Sequence, residues 1–156
     1  MSGMSLRSSN TINVTGNVVM YFTCSVSMNS GNGINLAAGA TLTVFLTAGT
    51  FSINSDNNVD DKNDAPKPAD FSFWSTSAGA VSMHSGGAMH GRICAANSSG
   101  ISANSGSGWY GAMVTGGSLS LNSGRAFHYD EALSSTVALP NSSSASTVTI
   151  QGSTMW

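Results

Sequence analysis

Hydrophobic and polar positions alternate along this chain in short runs that end in turn residues, and one run keeps returning. Its form is apolar, Ser or Thr, apolar, then Asn or a substitute, then turn residues. It reads Val26-Ser27-Met28-Asn29-Ser30-Gly31, Phe51-Ser52-Ile53-Asn54-Ser55-Asp56 and Val81-Ser82-Met83-His84-Ser85-Gly86. It returns as Ile101-Ser102-Ala103-Asn104-Ser105-Gly106 and Leu119-Ser120-Leu121-Asn122-Ser123-Gly124, with a weaker sixth version at Val148-Thr149-Ile150-Gln151-Gly152. Strand side chains alternate between faces, so each run aims two apolar groups one way and its Ser the other. Asn tolerates left-handed backbone and Gly permits it freely, so the run ends in a turn. The central Ser or Thr recurs after 25, 30, 20, 18 and 29 residues. That is coil spacing in a solenoid. One such unit cannot bury its apolar face, whereas units stacked coil on coil can.

Second strands are expected between the runs, at ATLTVFL (40–46), FSFW (71–74), AMHGRICA (88–95) and WYGAMVT (109–115). The fold predicted is all-β: a right-handed parallel β-solenoid (β-helix) with irregular coils, forming a single domain over 1–156. A β-sandwich is the alternative, because it too is built of many short strands. It does not explain why one phrase should return at equivalent points. The stretch 55–70, SDNNVDDKNDAPKPAD, holds five of the seven acidic residues and two of the three prolines, and reads as an exposed acidic loop. Segments 11–22 and 146–156 are strand-like. The only helix expected is a turn or two at DEALSST, 130–136.

Composition narrows the function. Charged residues make up 8% of the chain, against about 25% in an average globular protein. The net charge is −2 and the five basic residues are scattered, which excludes the basic patch of a nucleic-acid binder. No apolar run reaches the roughly 18 residues of a membrane span. The start, MSGMSLRSSN, has no signal-peptide apolar region. So little charge gives weak colloidal repulsion and favours self-association.

Within WYGAMVTGGSLSLNSGRAFHYDEAL (109–133), the residues Tyr110-Gly111-Ala112 and Phe127-His128-Tyr129-Asp130-Glu131-Ala132-Leu133 stand out. The segment resembles the closing part of a bacterial cell-surface family that often carries pilus-assembly-type N-termini. The stretch INVTGNVVMYFTCSVSMNSGNGINLAAGATLTVFL is similar to that family's repetitive β region, so the likeness spans about residues 10–133. It implies a secreted or surface-exposed β-solenoid with no established chemistry. This chain departs from the pattern in lacking the long N-terminal helix of a type IV pilin.

Candidate sites are few. His128, Tyr129, Asp130 and Glu131 form the densest polar cluster and read mainly as a motif closing the last coil, with Tyr packing, Asp capping the turn and His bonding to backbone. Ser27, Asn29, Ser52, Asn54, Ser82, His84, Ser102, Asn104, Ser120 and Asn122 are expected to stack as the structural repeat, with His84 in an Asn position. Convergence of His84, His90 and His128 on a metal has no fixed geometry behind it. Asp56, Asn58 and Asp60 alternate as in a calcium loop, but Asp61 and Lys67 stand where Gly and Glu are required. Cys24 and Cys94 are either a disulfide or two small buried hydrophobes. Trp74, Trp109, Tyr110 and Trp156 are candidates for a sugar platform or for packing. The Asn-x-Ser/Thr sites at Asn13, Asn97 and Asn141 are what chance supplies in such a chain. No catalytic triad, metal set or phosphate loop is legible, so neither an enzyme nor a cofactor is expected. The expectation is an extracellular or cell-surface structural subunit that forms a homopolymer by head-to-tail β-stacking. The alternative is a monomeric adhesin recognising surface glycans.

Overall fold

Alternation of one apolar and one small polar residue, broken every few residues by Asn, Ser and Gly, leaves the chain only short strands and corners. The computed structural model describes residues 1–7, 9–54, 58–61, 67–106, 108–121, 126–130, 133 and 148–151, with backbone alone at 58–61, 85, 105 and 148–151. The first coil comprises β1 (Met4–Leu6), β2 (Thr11–Val14) and β3 (Asn17–Phe22). The second comprises β4 (Val26–Met28), β5 (Gly33–Leu36) and β6 (Thr41–Leu46), and the third β7 (Phe51–Ile53), β8 (Asn58–Asp61) and β9 (Phe71–Ser75). Three coils of two strands follow: β10 (Val81–Ser85) with β11 (Met89–Ala95), β12 (Gly100–Ser105) with β13 (Trp109–Thr115), and β14 (Ser118–Leu121) with β15 (Phe127–Tyr129). The final strand is β16 (Val148–Gln151).

These coils stack as a parallel β-solenoid of about five turns. Sheet A runs β1-β4-β7-β10-β12-β14 and sheet C runs β3-β6-β9-β11-β13-β15. All neighbours in both sheets are parallel, which excludes the antiparallel sandwich. Sheet B is shorter, with β2, β5 and β8 in parallel and β16 antiparallel on the outer edge of β2.

Coil length follows from the strand count. The steps Ser5–Ser27–Ser52–Ser82 span 22, 25 and 30 residues and enclose three strands per coil, while Ser82–Ser102–Ser120 span 20 and 18 and enclose two. Where sheet B stops, sheets A and C face each other directly and the side chains between them shrink to Ala95, Ala103, Gly91 and Gly111. A Cβ on Gly91 would come within 2.7 Å of the Phe71 ring, and one on Gly111 (φ +141°) would collide with the Gly91 carbonyl oxygen. The narrowing therefore requires glycine at both. Below it, Phe22, Phe51, Phe71, Phe73, Leu42 and Leu46 fill the wider three-sheet core. Each such buried side chain contributes about 1.5–3 kcal/mol relative to exposure.

Three expectations are corrected. Sheet A has a rung that the phrase search missed, Met4-Ser5-Leu6, which pairs with Val26-Ser27-Met28. The weak phrase Val148–Gln151 is no rung of sheet A, because its register pairs it antiparallel with Val14–Thr11. The acidic stretch is not loop throughout: Asn58–Asp61 continue sheet B beside Gly33–Leu36. Charge hid that strand, since only Val59 marks it as apolar.

Candidate functional site

The outer face of sheet A carries one column of hydroxyls. Ser5, Ser27, Ser52, Ser82, Ser102 and Ser120 occupy equivalent register positions on six successive rungs, about 4.8 Å apart. One residue beyond each inward apolar position lies the turn column. Asn29 N donates to Leu6 O (3.0 Å), Asn54 N donates to Met28 O (2.9 Å), and the Asn104 amide lies 3.4 Å from His84 Nδ1. His84 thus takes an Asn place in the stack; Asn122 lies outside the described residues. The first corner holds two buried asparagines that sequence reasoning passed over. Asn32 Nδ2 donates to Leu6 O and Asn29 O, while its Oδ1 accepts from Asn10 N at 2.8 Å. Their signal was the shared distance to the following strand, Asn10 before Thr11 and Asn32 before Gly33.

The outer face of sheet C is aromatic. Tyr21, Phe45, Trp74, Cys94 and Val114 form one register column. Tyr21 and Phe45 stack at 4.8 Å, and the Arg92 guanidinium lies 6.0 Å from the Trp74 ring while its Nε donates to Ser72 Oγ at 2.6 Å. A second column stacks His90, Tyr110 and His128 at 4.8 and 4.5 Å with nearly parallel rings. Ladder stacking spends ring faces on neighbouring rungs and turns ring edges outward. A sugar platform needs the faces. Trp109 is removed from that role altogether, being 3% exposed within the core.

The other candidates separate. His84 lies on sheet A, whereas His90 and His128 lie on sheet C with Tyr110 between them. Among the described residues no three His, Cys, Asp or Glu gather to hold a metal. Asn58 and Asp60 lie in β8, at alternate positions of a strand, while Asp56 and Trp156 are outside the described residues. Cys24 and Cys94 are free thiols, one exposed and one half-buried. Cys24 follows β3 and Cys94 lies in β11, three rungs on. Three rungs are about 14 Å, beyond the reach of a disulfide. Exposure of Cys24 also overturns the buried-pair alternative.

The last coil is where the molecule departs from a closed structure. In the fifth coil the inward positions Ile101 and Trp109 are 1% and 3% exposed. Their register partners in the sixth, Leu119 and Phe127, are 48% and 37% exposed, and Leu121 and Tyr129 are 43% and 58%. The closing motif does lie here. Asp130 N donates to Gly111 O (3.3 Å), Asp130 O accepts from Leu133 N (3.1 Å), and Leu133 is buried. Tyr129, expected to pack, stays exposed, and the ring of His128 stacks on Tyr110; Glu131 is outside the described residues.

The sequence profile of a domain of unknown function, DUF7305, matches residues 2–136. The chain belongs to the DUF7305 family. No curated protein and no solved structure matches it. The DUF7305 match takes in every coil from β1 to β15 and stops before β16. At the opposite end of the DUF7305 stack from the exposed leucines, the first-coil residues Leu6 and Val18 are buried at 2% and 4%. That end carries β16 on the sheet B edge. The stack therefore has one covered end and one open end. No helix among the described residues is long and apolar enough to cross a membrane.

Proposed function

We propose that this DUF7305 chain is a structural subunit of an extracellular filament or surface fibre, polymerising head to tail by continuing its β-stack from copy to copy. The observation that carries the reading is the open sixth coil, where Leu119, Leu121, Phe127 and Tyr129 stand exposed beside the unpaired edges of β14 and β15. Unpaired strand edges are templates for another chain, and apolar side chains beside them favour burial under a further coil. A head-to-tail contact that does not close into a ring propagates as a filament. The 8% charge supports the reading, because little repulsion opposes association.

Negative-stain electron microscopy of the purified chain, before and after concentration, tests it. Uniform unbranched filaments are expected. Discrete particles at every concentration refute it.

A further inference from the structure

The two ends of the stack match in a specific way. At the open end only sheets A and C are present, because the last three coils have no sheet B strand. At the other end the edges of β1 and β3 terminate sheets A and C, while the sheet B edge of β2 is occupied by antiparallel β16. Both ends thus offer the same two sheets. Their edge strands also carry the same pattern, Leu119-Ser120-Leu121 at one end and Met4-Ser5-Leu6 at the other.

We propose, resting on the filament reading above, that the partner is a second copy bound through these two edges alone: β14 pairs with the neighbour's β1 and β15 with its β3, both in parallel. Extending the internal register sets Leu119 beside Met4, Ser120 beside Ser5 and Leu121 beside Leu6 of the next copy. In sheet C it sets His128 beside Asn17 and Tyr129 beside Val18. The serine column of one chain then runs into that of the next. Leu6 and Val18 are already covered in the single chain, so the incoming coil exchanges with that cover. The strand β16, which lies at this end and beyond the family domain, competes with assembly.

The test is the double variant Ser5→Cys/Ser120→Cys with Cys24→Ser and Cys94→Ser in the full chain, oxidised after concentration and run on a non-reducing gel. Both engineered positions face outward, so the fold tolerates them. Within one chain they lie five rungs apart, about 24 Å, so a disulfide between them is intermolecular. A ladder of covalent oligomers is expected, absent from the Ser27→Cys/Ser120→Cys control. A chain ending at residue 145 is expected to assemble faster. Filaments without the Ser5–Ser120 cross-link, cross-linking through position 27 instead, or slower assembly after truncation overturns this register while leaving the filament reading intact. Absence of filaments from both the full and the shortened chain removes the filament reading itself.

Discussion

Ile101 and Leu119 occupy one inward column on adjacent rungs, yet one is buried and the other half exposed. The difference is position in the stack. Alternation marks which side chains turn inward, and it placed both residues correctly; nothing local reveals that no coil lies above Leu119. The same parity, applied to the strand 109–115, would have put Trp109 inside with Met113 and Tyr110 outside. Choosing between platform and core needed the register with Met89, which sequence alone did not supply. Residue position makes a prediction. Ile101→Ala should cost about 2–5 kcal/mol in urea unfolding of the monomer, as for other aliphatic truncations in a packed core. Leu119→Ala should cost less than about 1 kcal/mol there, and should instead raise the concentration needed for assembly. Equal losses of monomer stability would mean that the sixth coil is covered after all.

Strands and coils were legible wherever period-2 alternation was strong, as at β6, β9, β11 and β13. Their number per coil was not read, although coil length encoded it: the long steps enclose three strands and the short ones two. β8 was hidden because Asn58, Asp60 and Asp61 carry loop chemistry, and pairing with β5 overrides it. Misplacing β16 had the opposite cause. Its Val-Thr-Ile pattern fits a rung, and an antiparallel return to the first coil leaves no local mark. The ring ladder on sheet C was also unread, since His90, Tyr110 and His128 meet only once the coils are in register. That ladder holds the last strand of sheet C. β15 has three residues and inward side chains that are exposed, so its outward His128 on Tyr110 is a main anchor. Aromatic pairs add about 0.5–1.5 kcal/mol each. Tyr110→Ala should therefore raise amide hydrogen exchange at residues 127–130 by roughly tenfold, the equivalent of about 1.4 kcal/mol, and leave β6 and β9 protected. Unchanged exchange at 127–130 would show that backbone pairing alone holds β15.

At the scale of the whole molecule the physical character of association follows from what the chain lacks. With 8% charged residues and a net charge of −2, neither end of the stack has the charge to draw a neighbour by electrostatic steering. The contact offers two strand edges and a group of apolar side chains. Its driving force is then burial of apolar surface, which weakens on cooling and strengthens in sulfate, with backbone pairing fixing the direction of addition. Screening by sodium chloride acts on charges and leaves apolar burial in place. The critical concentration for assembly, followed by light scattering, should thus fall on adding sulfate and rise on chilling. Moderate sodium chloride should change it by less than about threefold. Assembly that sodium chloride dissolves would instead place the contact on the few charges at the two ends, Arg7 and Asp130 among them. The exposed leucines of the sixth coil would then be bystanders.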